Sequence, residues 1–210
     1  MNFSEFTAHI STLTNTKLGG RVSQFKLVPE LRIKISEEKI KAANPREASV
    51  LALFYPDAHK QTRFLLTQRA SYNGTHSAQI SFPGGKTEPN ETLKETALRE
   101  AEEEIGLRNN NVTIIRSLSP TYIPPSNFMV TPFMGFSETR PKFKPNHEVS
   151  ELIEVLAEDL INDSNLSSVS MKTSYMDKID VPCFTFNSHI VWGATAMILS
   201  EIKDLLKEVH

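Results

Sequence analysis

Between Gly85 and Leu107 the chain reads GKTEPNETLKETALREAEEEIGL, a segment whose carboxylates recur at spacings suited to chemistry. On a helix turning by roughly 100° per residue, Glu100, Glu103 and Glu104 share one face within an arc of roughly 100°. Like charges this close repel by roughly 0.2–0.5 kcal/mol per pair on an isolated helix, and a divalent cation offsets that cost. Carboxylate oxygens are hard ligands. With no cluster of Cys or His, the expected ion is Mg²⁺ or Mn²⁺ rather than a structural zinc. Such an ion neutralises phosphate charge, orients a diphosphate and acidifies an attacking water, so the pattern points to phosphoanhydride hydrolysis without a covalent nucleophile. A solvated acidic face is the ordinary explanation of a charge run. Against it stand seven fixed letters, Gly85, Glu91, Arg99, Glu100, Glu103, Glu104 and Gly106. At a usage of about 7% each they would coincide in such a chain on the order of one time in a million.

Carboxylates act together only if the backbone holds them. Thr92 and Glu95 fit a capping box and Gly106 supplies a left-handed stop, which predicts a helix from about Thr92 to Ile105. Leu93, Ala97, Leu98, Ala101 and Ile105 occupy a neighbouring arc that would anchor this helix to a sheet. Two apolar runs, 48–55 and 63–68, read as an antiparallel pair of strands around the turn PDAHKQ. Further strands are expected in 112–123, 128–136, 149–157 and 180–186, and a closing amphipathic helix from Ala194 to about Lys207. Phe3, Phe6, Ile10 and Leu13 predict one helix over 3–15, packing on its own core or serving as a homodimer contact. The expected fold class is α/β, a mixed sheet sandwiched between helices, with an N-terminal helical extension over 1–45 packing on one domain over 46–210.

Composition removes other classes. Hydrophobic residues at 39% and charged residues at 23% of 210 exclude a disordered or fibrous protein and suffice for one well-buried core. A net charge of −2 offers no basic field for nucleic acid or an anionic membrane surface. Cys183, the single cysteine, excludes an internal disulfide and fits a reducing compartment. The opening residues lack a cationic stretch followed by an apolar run, and no stretch of about 18 apolar residues occurs, so a cytoplasmic location is expected.

In its fixed positions the segment 85–107 matches the Nudix box, and the chain therefore resembles the Nudix hydrolases. The resemblance implies an α/β/α Nudix fold in which Glu100 and Glu104 are the principal metal ligands. It makes Glu103 a further ligand or the group that activates water, has the Gly85 carbonyl complete the site, and lets a Glu91–Arg99 pair brace the loop against the helix. Upstream, LLTQRASYNGTHSAQISFPGG (65–85) is similar to the signature of the coenzyme A diphosphatases of this superfamily, with agreement in Leu65, Leu66, Thr67, Arg69, Ala70, Phe82, Pro83, Gly84 and Gly85. Two positions depart: Gly74 stands where that pattern has arginine and Ala78 where it has glycine. PPSNFMVTPFMG (124–135) and VWGATAMIL (191–199) resemble later segments of the same family, the second as the start of its last helix.

The implied activity is hydrolysis of coenzyme A or a derivative to 3′,5′-ADP and 4′-phosphopantetheine, with Mg²⁺ or Mn²⁺ as cofactor and a small-molecule nucleotide as substrate, a homodimer being possible. Losing a guanidinium at Gly74 removes a directional anion contact, which motivates a second substrate set: ADP-ribose, nucleotide sugars, dinucleoside polyphosphates or noncanonical nucleotides. A non-catalytic nucleotide-sensing module is a third reading, which the complete acidic set disfavours. Arg69 and Gly84 are candidate substrate contacts, Arg69 having an alternative as a strand-end charge in water. Glu148 and Glu151 are candidates for an extra carboxylate, with a solvent-facing strand edge as the plainer explanation. His76 and His147 read as loop polar residues, Trp192 and Phe128 as core or pocket wall, and Cys183 as a buried small hydrophobe.

Overall fold

Apolar residues alternate along the first long strand so that both of its faces are buried, and this sets the layering. In the computed structural model, which describes residues 1–28, 36–70, 79–171 and 178–210, β1 (Arg46–Pro56) turns Leu51, Leu53 and Tyr55 to one face and Ala52 and Phe54 to the other. β2 (Thr62–Arg69) runs antiparallel to it, with Phe54 opposite Phe64. β3 (Ile80–Ser81) and β4 (Gly84–Lys86) are short strands within the stretch before the helix, pairing with β2 and β1. β5 (Thr113–Ser117), β6 (Thr121–Ile123), β7 (Phe128–Phe136) and β8 (Val149–Leu156) complete a mixed sheet, in which β1 and β7 are parallel and the other pairs antiparallel. A separate sheet has the order β11 (His189–Trp192), β10 (Ile179–Phe186), β9 (Leu166–Met171).

Helices cover both faces. On one lie α1 (Phe3–Ala8) and α2 (Ile10–Asn15), followed along the chain by the short α3 (Arg21–Gln24) and α4 (Glu37–Ala42). On the opposite face α5 (Leu93–Ile105) packs Ala97, Ala101 and Ile105 against Leu51, Leu53, Tyr55 and Leu65. α6 (Ala157–Ile161) and α7 (Gly193–Lys207) return to the first face, where Ile198, Leu199, Ile202, Leu205 and Leu206 join Phe54, Phe64 and Phe184 in the larger core. The predicted mixed sheet between helices is the fold observed. Among the described residues no helix is long and apolar enough to cross a membrane.

Several local expectations are corrected. Residues 3–15 form two helices because they answer to two anchors: Phe6 stacks on Phe54 with ring centroids 5.0 Å apart, while Arg116 of β5 donates to the Leu13 and Thr16 carbonyls at 2.8 and 2.6 Å. The chain bends at His9 to meet both. The run 112–123 divides at Ser119, whose N–H goes to Glu201 of α7 at 2.9 Å, whereas the Leu118 N–H still reaches the Pro132 carbonyl of β7 at 2.8 Å. Ala157 begins a helix instead of ending a strand. Val191 and Trp192 belong to β11, since Asn187 and Ser188, with φ of 48° and 69°, close a tight hairpin from Phe186 to His189.

Phe6 is fully buried beneath the rings of β1, so the N-terminal helices are part of the core. Phe6→Ala is expected to cost about 3–5 kcal/mol of unfolding free energy. Urea unfolding measures this, and a loss below about 1 kcal/mol would show that these helices do not pack on the sheet in solution.

Candidate active site

Thr92 opens α5 by accepting from the Glu95 N–H, while the Glu95 carboxylate takes the Thr92 N–H at 2.8 Å, the predicted capping box. The loop before it is gathered on one carboxylate. Glu91 accepts from Arg99 Nε at 2.8 Å, Arg99 Nη2 at 3.1 Å, the Glu88 N–H at 3.1 Å and the Thr96 hydroxyl at 2.8 Å. The Arg99 hydrogen bonds hold its carboxyl down to about 2, with the Glu88 and Thr96 donors acting in the same direction and burial opposing. Arg99 also donates from Nη2 to the Lys86 carbonyl at 3.2 Å, and its Nη1 lies 2.9 Å from Glu100 and 3.2 Å from Glu103. One guanidinium thus joins β4, the loop and the acidic face of α5.

The three helix carboxylates sit at different depths. Glu104 is 8% exposed and its Oε2 accepts from the Gly84 N–H at 3.0 Å. Burial raises its carboxyl to about 7, helped by the nearby Glu100 and Glu148 and opposed by the Gly84 amide and Arg69. Glu100 is also raised, first by burial, with Glu103 and Glu148 adding and Arg99 opposing. Glu103 is exposed and meets the Nη1 nitrogen of Arg99 at 3.2 Å. Gly84 has no room for a side chain, since a Cβ would lie 2.3 Å from the Ser49 carbonyl oxygen. At Gly85 a Cβ would lie 2.4 Å from the Glu100 carboxyl carbon, so the bare backbone is what seats that carboxylate.

Of the two further acids, the structure brings Glu148 to this site and not Glu151. Glu148 pairs with Arg69 at 2.7 Å, and its carbonyl takes the Ala70 N–H at 2.7 Å. Its loop is tied to the end of α5 by Asn146 N–H to Glu104 O at 2.9 Å and Lys144 N–H to Ile105 O at 2.8 Å. Glu151 instead meets His189 Nε2 at 3.1 Å; its β8 neighbour Ile153 faces the α7 core whereas Leu152 faces α5. Phe128 lies under the Arg46 guanidinium at 4.2 Å, Trp192 is half-buried in β11, and Cys183 is fully buried. Gly74, His76 and Ala78 lie outside the described residues.

Among the described residues no three acidic, His or Cys side chains converge as a closed metal cage. The donor chemistry still fits a hard divalent cation. Glu100 and Glu104 are withdrawn from water, each beside other carboxylates that raise its cost of ionisation, and Glu100 rests in a seat that a methyl group would fill. Sequence reasoning located Glu91, Arg99 and the helix acids. It missed Thr96, a fully buried hydroxyl that could have been noticed one turn before Glu100 on the acidic side of α5.

A family model described as NUDIX domain matches residues 45–170. The mitochondrial Nudix hydrolase 15 of Arabidopsis thaliana is 32% identical over 163 residues, covering 74% of this chain and 56% of its own, so the chain spans little more than half of that relative. The uncharacterized Nudix hydrolase NudL of Pectobacterium atrosepticum is 31% identical over 159 residues, covering 75% of this chain and 81% of its own. The solved structure of the Nudix hydrolase RenU from M. smegmatis has a TM-score of 0.56 at 17% identity over 79% of this chain and 88% of its own, a likeness of fold.

Because the folded-state value of Glu91 lies below its ordinary 4.5, its stabilising contribution is complete above about pH 4.5 and is lost as pH falls through about 2. The stability gap between wild type and Glu91→Gln is therefore expected to narrow on acidification below pH ~4.5. Urea titrations at a series of pH values check this, and a gap independent of pH would refute the assignment.

Proposed function

Since the chain belongs to the Nudix family, enzymes that hydrolyse pyrophosphate bonds, we propose that it cleaves the diphosphate of coenzyme A or a close derivative, using Mg²⁺ or Mn²⁺, to give 3′,5′-ADP and 4′-phosphopantetheine. The observation that carries the proposal is the pair of withdrawn carboxylates, Glu100 and Glu104, lodged against Gly84 and Gly85. The choice of substrate rests on the likeness of 65–85 to the coenzyme A signature. In this reading Glu100 and Glu104 hold the ion together with the Gly85 carbonyl, and Glu103 is a further ligand or the acceptor of the water proton. A divalent ion bound there supplies charge neutralisation on the diphosphate and a more acidic water.

The remaining work falls to side chains around that centre. Arg69 turns from Glu148 to a phosphate oxygen, a guanidinium being shaped to fork onto such an anion. Glu148, partly exposed, becomes the extra carboxylate of the site. As the water oxygen bonds to phosphorus, the bridging P–O bond breaks and the bridging oxygen leaves with the other phosphate. The proton released by the water passes to Glu103 or Glu148, the two acids open to solvent. Glu91 and Arg99 touch no substrate and keep the loop registered against α5.

A second substrate set, ADP-ribose and related nucleoside diphosphate compounds, is favoured by one specific observation: Gly74 and Ala78 depart from the coenzyme A signature. Product release from coenzyme A, ADP-ribose, nucleotide sugars, dinucleoside polyphosphates and nucleoside triphosphates, with each metal, separates the two readings. Coenzyme A is expected to be cleaved with the highest kcat/KM, and preference for another compound would replace it. Glu104→Gln is expected to lose about 100-fold or more in kcat, and full activity in a folded Glu104→Gln protein would sink the catalytic assignment. Gly85→Ala is expected to leave the melting temperature nearly unchanged, because the displaced group is a movable side-chain end, while activity drops by about 10–100-fold. Equal activities would show that the seat of Glu100 is dispensable.

A further inference from the structure

We propose that Thr96 is a positioning residue: its buried hydroxyl joins the two ends of the loop 87–91, holding that loop in the register the helix carboxylates require. The inference rests on the reading of Glu91 and Arg99 as the brace of the catalytic loop. Thr96 is fully buried on the face where α5 packs, and a β-branched residue is a weaker helix former there than alanine. Its Oγ1 lies 2.8 Å from Glu91 Oε2, 3.2 Å from Thr87 Oγ1 and 3.1 Å from the Thr92 carbonyl.

A hydroxyl has one proton, and a carboxylate is the strongest acceptor of the three. The geometry therefore has Thr96 donate to Glu91 at one end of the loop, with the Thr87 hydroxyl oxygen at the other end the next acceptor within reach of the same proton. Thr87 stands immediately after Lys86, whose carbonyl Arg99 already holds, and the Thr87 N–H is tied to the Glu47 carbonyl at 3.1 Å. Without the Thr96 hydroxyl, the loop keeps Arg99 as its main attachment to α5 and gains freedom to shift against Gly85. The plain alternative is a threonine that merely bonds back to the carbonyl four residues earlier in its own helix.

Thr96→Val keeps the shape and removes the hydroxyl; Thr96→Ser keeps the hydroxyl. The first readout is native-state hydrogen exchange in metal-free protein at the Glu88 amide, which donates to Glu91. Thr96→Val is expected to speed exchange there by about tenfold while the amides of α5 stay protected, and to lower kcat on coenzyme A by about 10–100-fold with KM little changed. Thr96→Ser is expected to restore both. Unchanged Glu88 exchange in Thr96→Val, or acceleration spread evenly through α5 with a lowered melting temperature, would overturn the proposal. Should wild type leave coenzyme A intact, the substrate reading fails, and the exchange experiment still decides the role of Thr96.

Discussion

The ion pair between Glu91 and Arg99 is the interaction on which the site depends. Exposed pairs contribute roughly 0–1 kcal/mol, and on that scale a single contact would not order a loop. This one differs in its surroundings. The side chains are only 13% and 25% exposed, two nitrogens of the guanidinium engage the carboxylate, and the same carboxylate collects a backbone amide and a buried hydroxyl. Charge-assisted bonds in a partly desolvated network are stronger than isolated ones, and each limits the motion the next would otherwise have to restrain. Nη2 of Arg99 also donates to the Lys86 carbonyl and its Nη1 reaches Glu100 and Glu103, so loop, strand and helix are located relative to one point.

That brace holds together groups that repel. Glu100 and Glu104 lie within electrostatic reach of each other and of Glu148, and burial removes the water that would screen them. Arg99 and Arg69 supply cations from either side without neutralising the whole set. A fold stabilised only for its own sake would place apolar residues there, as it does on the neighbouring arc of the same helix at Ala101 and Ile105. Local conflict of this kind, tolerated inside an otherwise consistent core, is where function is expected to reside.

Much of this was legible because it depends on short-range rules. The capping box, the left-handed Gly106 and the spacing of Glu100, Glu103 and Glu104 are properties of one helix, and they emerge as read. What escaped was set by contacts remote in sequence. Glu201 breaks the strand at Ser119 across 82 residues, and Arg116 ends α2 across about a hundred. Glu148 and Glu151 are alike in the sequence, and the distinction between them arises from register: β8 skips a residue between Gln68 and Arg69, and the ladder decides which acid faces α5. The β11 hairpin was within reach, since Asn187-Ser188 is a turn signal, but the apolar run after it has no periodicity able to separate strand from helix.

Depth, finally, is set by small residues. Ala97 and Ala101 have no accessible surface and put almost nothing between the α5 backbone and β1, so the helix lies close to the sheet. Close approach is what carries Glu104 to the Gly84 amide and Glu100 to the bare Cα of Gly85. A leucine at position 101 would improve apolar burial in isolation yet lift the acidic face away from β4, since a packed interior has no spare volume to absorb it. The placement of the acidic face therefore depends on the least conspicuous letters of the motif as much as on its carboxylates. Arg69 and Glu148 are placed by other elements, the end of β2 and the residue before β8, where the two side chains pair at 2.7 Å.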